Sequence, residues 1–150
     1  MKRKILYGLL ILGVFGSLLL SCDLLSGPVA ASERIDLFMA DLNAGNYSKL
    51  YTHFMEGQTT QYNTIKDPVW WDSHRLFSSG NKPPGGFTLT TDTATDQGSY
   101  LSIPGNFTNV NDTYSVTFNM MEAADGSYYI YQLIDEDEDV YSIKIISLAD

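Results

Sequence analysis

Few side chains in this chain of 150 residues are equipped for chemistry. The histidines are His53 and His74, and the one cysteine is Cys22. Neither histidine has a second at i+4, the spacing that puts two imidazoles on one helix face to grip a metal. A site of two histidines and a carboxylate would rest only on the abundance of acids, so no metal and no cofactor is expected. His74 has the richer surroundings, with Trp70, Trp71 and Phe77 close in sequence. On a helix, Trp70, His74 and Phe77 would share a face. Trp70, Trp71 and His74 could then line the mouth of a pocket, with the imidazole serving as base or hydrogen-bond donor. The plainer alternative puts both tryptophans in the core with His74 capping them, and the aromatic neighbours favour it.

The most charged run is Asp135 to Asp139, DEDED. Calcium is one reading, but an EF-hand loop needs Gly at its sixth position and Glu at its twelfth, where Val140 and Ile146 stand. A solvated turn that keeps two apolar strands from aggregating fits better. No G-x-S-x-G, phosphate loop or dinucleotide fingerprint occurs. The glycines between Gly80 and Gly86 are interrupted by prolines, which remove the backbone donors a phosphate cradle needs. No catalytic residue is assigned.

The charge of −9 is unevenly spread. Lys2, Arg3 and Lys4 hold three of the nine bases, and no acid precedes Asp23, so residues 22–150 carry 18 acids against 6 bases, net −12. That balance argues against a nucleic-acid partner and against the domain lying on anionic lipid. After the basic triplet, Ile5 to Ser21 is an uncharged apolar run, the layout of an export signal. It lies at the short edge of the roughly 17–25 residues a membrane span needs. Leu19 is large where an ordinary signal peptidase wants a small residue.

Leu19-Leu20-Ser21-Cys22 instead resembles the lipobox of bacterial lipoproteins: an aliphatic residue at −3, a small one at −1, and cysteine at +1. The resemblance implies diacylglyceryl transfer to the Cys22 thiol, cleavage between Ser21 and Cys22, and a domain held outside the cytoplasm on a membrane. Two or three acyl chains make such anchoring effectively permanent, at about 0.8 kcal/mol per buried CH₂. Cys22 has no partner for a disulfide within the chain. As a lipid anchor it is lost to thiol catalysis and zinc.

The elements that must position these groups follow a simple order. Residues 1–21 read as the signal, 22–31 as a lipidated tether and 32–150 as one domain. Ser32 is the expected N-cap of a first helix whose Ile35, Phe38, Met39 and Leu42 fall on one face, ended by Gly45-Asn46. Tyr47, Leu50, Tyr51 and Phe54 repeat the spacing in a second short helix stopped by Gly57. Asp67-Pro68 opens a third helix expected to run through Phe77, followed by a breaker segment from Ser78 to Gly86. The period then changes to two. FTLTTDT, SYLSI, YSVTFNM, SYYIYQLI and VYSIKII read as strands, with Asp125-Gly126 as a hairpin turn. Helices first and a strand meander afterwards predict an α+β fold with the helices on one face of an antiparallel sheet.

The opening Leu42-Asn43-Ala44-Gly45-Asn46-Tyr47 followed by Leu50-Tyr51 resembles the start of NTF2-like (cystatin-like) domains, with Asn46 in place of the commoner Asp. The resemblance implies a curved sheet wrapped as a cone around a pocket. That fold serves enzymes, ligand binders and assembly modules alike, so it does not choose the function. The expectation is a tethered, non-enzymatic envelope domain binding a small apolar ligand or a protein partner. An enzyme using the same pocket, or a sugar-binding surface of tyrosines and tryptophans, are the alternatives.

Overall fold

The computed structural model describes residues 27–56, 62–136 and 143–146. The signal and the lipidation position, Ser21 and Cys22 included, lie outside the described residues. The order of elements is α1 (Ala31–Ala44), a first 3₁₀ helix (Tyr47–His53), α2 (Pro68–Ser73), a second 3₁₀ helix (Ser79–Asn81), and then six strands. These are β1 (Thr88–Thr91), β2 (Thr95–Asp96), β3 (Leu101–Thr108), β4 (Thr113–Glu122), β5 (Tyr128–Asp135) and β6 (Ile143–Ile146). The fold is α+β. The sheet is antiparallel throughout, in the order β1-β3-β4-β5-β6, with β2 also pairing with β3.

Ile35, Phe38 and Leu42 of α1 are buried, as their spacing predicts, while Met39 flanks the core half-buried. Gly45 ends the helix at φ 73°, and Asn46 N–H reaches back to the Asp41 carbonyl at 2.9 Å. This left-handed position suits glycine, which has no Cβ to clash. The start differs from expectation. The N-cap is Ala30, with no side-chain bond, rather than Ser32. The preceding chain is held instead by the β4–β5 hairpin: Tyr128 N–H donates to the Val29 carbonyl at 2.8 Å, and Val29 N–H to Ser127 Oγ at 3.2 Å. Tertiary pairing fixes where this helix begins, and the chain is engaged from Val29 onward.

The second helix is 3₁₀, and it stops at Phe54, whose extended backbone bridges to Ile130 in β5. The third opens as expected, with the Asp67 side chain accepting from Val69 N–H at 2.9 Å and Pro68 in the first turn. It is shorter than expected: α2 ends at Ser73, with His74 extended at the C-cap and Phe77 beyond it.

β3 runs through Pro104-Gly105 to Thr108, beyond Ile103 where the expected strand SYLSI ends. Proline cannot donate to a neighbouring strand, and it is tolerated here because the flanking edge is itself interrupted. β1 pairs as far as Thr91 with Gly105, and β2 resumes at Thr95 with Ser102. Gly105 answers a close approach: a Cβ there would lie 2.5 Å from the Thr90 carbonyl oxygen. The strand residues Ile103, Phe107, Val116, Phe118, Met120, Ile130 and Leu133 share one core with the helices. Phe38 sits at its centre, fully buried, with the rings of His53, Phe54, Trp71, Phe77 and Phe118 at centroid distances of 5.9 to 6.1 Å.

The acidic run also needs correction at its first member. Asp135 is not part of a solvated turn; it is the last residue of β5, 1% exposed, and paired with Arg75. Residues 137–139 of the run lie outside the described residues.

Candidate functional site

Along one side of α1 the sheet is not fully covered. A hollow of about 730 Å³ opens between the helix and the β1 edge, with β3 as its floor. Its apolar lining comes from Ile35 and Met39 of α1, Phe87 and Leu89 around the start of β1, and Leu101 and Ile103 of β3. Asp36, Asp92, Ser32 and Thr88 stand among the remaining lining residues. The volume falls within the roughly 300–1,000 Å³ typical of small-molecule sites. The groove is braced at one end by Asn43, whose side chain donates to the Phe87 carbonyl at 2.9 Å and accepts Phe87 N–H at 2.7 Å. That pair ties the last turn of α1 to the entry of β1.

Neither tryptophan nor His74 lines this groove. Trp71 is fully buried, and its indole N–H donates to the Ile65 carbonyl at 2.7 Å. Trp70 is half-buried and meets Trp71 edge-on at 4.9 Å. His74 lies between Trp70, at 5.4 Å, and Phe77, on which it stacks at 5.1 Å. The three rings do come together, but without a shared helix face, because α2 ends before His74. Burial lowers the His74 pKa, with Asp135 pulling up and Arg75 pulling down. Its Nδ1 accepts Leu76 N–H at 3.3 Å, a bond that needs the neutral ring.

The residue most like a general base is one the sequence singled out only as a weak metal candidate. His53 Nε2 lies 3.0 Å from Asp41 Oδ2, and Asn46 Nδ2 donates to Asp41 Oδ1 at 2.9 Å. Burial lowers the His53 pKa against the opposing pull of Asp41. Burial would raise Asp41, but hydrogen bonds from Asn46 and His53 outweigh it and hold the carboxyl below its ordinary value. His53 is 5% exposed, its Nδ1 is buried with no hydrogen-bond partner, and its ring meets Phe38 edge-on. The couple joins α1 to the first 3₁₀ helix, and neither member lines the groove beside α1.

Among the described residues, no three of His, Cys, Asp and Glu gather as metal ligands, and no helix is long and apolar enough to cross a membrane. Comparisons with protein-family models, with curated proteins and with solved structures find no match to the chain. What fold and site define is an α+β domain with an apolar groove beside its first helix. The groove's polar neighbours were not legible in advance, since Asp36, Asp92 and Thr88 meet only when β1 folds back against α1.

Proposed function

We propose that this chain is a cell-envelope lipoprotein, anchored through acyl chains on Cys22, whose domain is a non-enzymatic module that holds a small apolar ligand between α1 and β1. The observation that carries the binding role is the groove itself, with an apolar floor next to carboxylates and hydroxyls. Burial of apolar surface supplies affinity, at about 25 cal/mol per Å², while the polar groups orient the ligand. Asp36 and Asp92 disfavour an anionic head group, so a neutral or cationic ligand suits the site. The same layout supports the NTF2-like reading: helices lie on one face of an antiparallel sheet whose ladders shift register at Asn119/Met120 and Leu133/Ile134. Such bulges bend a sheet.

Two experiments test this. Incorporation of labelled palmitate is lost in Cys22→Ala; labelling that persists overturns the anchor. Native mass spectrometry of the full chain released from mild detergent shows a bound ligand that Leu89→Glu removes and Val69→Glu, at an exposed position outside the groove, retains. A groove that takes up neither a co-purified ligand nor an apolar fluorescent probe overturns the binding role. An envelope protein captured on the groove in place of a small molecule would make the occupant a protein segment.

A further inference from the structure

The second large hollow, of about 650 Å³, has different chemistry. It lies between the first 3₁₀ helix with the chain that follows it and the β4–β5 hairpin. Three half-buried tyrosines, Tyr51, Tyr62 and Tyr129, share its lining with Glu56, Glu122 and Lys66. Tyr51 and Tyr62 meet edge to face at 6.0 Å. The Lys66 ammonium stands 4.7 Å from the centroid of Tyr62 and 5.8 Å from that of Tyr51. Tyr129 carries the Arg34 guanidinium over its ring at 4.2 Å. Every ring of the trio therefore already faces a cation.

We propose that this cleft binds a small organic cation, a quaternary or protonated amine, which takes the place of the Lys66 ammonium over Tyr51 and Tyr62. The tyrosine faces present the negative side of the ring quadrupole within the roughly 6 Å over which it attracts cations. Two carboxylates line the cleft against one lysine. Around it, a chain with 18 acids concentrates cations at its surface. Lys66 is exposed and rides on a flexible stem, so it can yield the position. It is a built-in competitor. That gives the site a signature that general attraction to an acidic surface lacks: removing the lysine improves binding.

The test is calorimetric titration of the full chain in non-ionic detergent with choline chloride and, separately, with 3,3-dimethylbutan-1-ol, its uncharged carbon isostere. Choline binds, and the isostere binds about tenfold more weakly or not at all, because only the cation gains from the rings and carboxylates. Lys66→Met tightens choline binding by about three- to tenfold, and Tyr62→Leu weakens it by about tenfold while Tyr62→Phe, which keeps the π-face, retains it. Circular dichroism checks that each variant is folded, and the gain in Lys66→Met does not depend on the tyrosine variants surviving. Equal binding of the isostere, no gain on removing Lys66, or no choline binding at millimolar concentration would each overturn the proposal.

Discussion

Replacing Trp71 by phenylalanine separates a core residue from a ligand-binding one. Trp71 is fully buried, and its ring contacts Phe38, Phe54, Trp70 and Phe77 at centroid distances of 4.9 to 5.9 Å. Its indole N–H donates to the carbonyl of Ile65, itself fully buried. Phenylalanine cannot make that bond, and a buried carbonyl left without a partner costs about 1–3 kcal/mol. The smaller ring also leaves a void, and the fraction of a large-to-small core loss that this represents is about 1–2 kcal/mol. The sum, about 2–5 kcal/mol, is a large share of the roughly 5–15 kcal/mol that holds a typical domain together. Trp70→Phe, at a half-buried position, should cost less than about 1 kcal/mol. Urea denaturation at neutral pH measures both, with the remaining tryptophan as the fluorescent reporter in each variant. Ligand affinity of the groove should be unchanged in folded Trp71→Phe protein. A stability loss below about 1 kcal/mol, or a fall in affinity without one, would refute the placement of Trp71 in the core.

Acid should destabilise the domain in two stages. The pKa values of His53 and His74 are lowered in the fold by burial, so between the ordinary value of 6.5 and their folded values the unfolded chain binds protons that the native state refuses. Stability therefore falls as pH drops below about 6.5. Asp41, held below 3.8, adds a contribution that is present above that value and is lost as pH falls through the lower folded value. His53→Gln should flatten the first stage in a series of urea midpoints from pH 7 to 5, and an unchanged slope would count against the buried neutral imidazole. Gly105→Ala should cost about 1–3 kcal/mol by forcing β1 away from β3, since its Cβ would lie 2.5 Å from the Thr90 carbonyl oxygen. Hydrogen exchange in β1 reports the displacement.

Local rules carried far in this chain. The apolar face of α1, its glycine stop, the Asp67-Pro68 start and the Asp125-Gly126 turn are set by neighbours within a few residues, and each stands where the pattern put it. The departures share a cause as well. α1 begins at Ala31 because the β4–β5 hairpin holds Val29. β3 passes through Pro104 because the strand beside it is broken at that height. Asp135 is buried because Arg75, far away in sequence, pairs with it. In each case the deciding partner is remote, and no window of sequence contains it.

The site divides in the same way. The α+β order, the core face of the first helix and the charge asymmetry between a basic start and an acidic remainder are all written along the chain, because periodicity and charge need no tertiary partner. Long-range packing alone sets the tryptophans and His74 together away from either hollow, joins Asp41 to the buried His53, and brings three tyrosines from distant segments to one cleft, two of them facing Lys66. Hollows are what packing leaves uncovered. Their walls come from elements whose separation is fixed by the whole core, so the chain announces its elements but not the spaces between them.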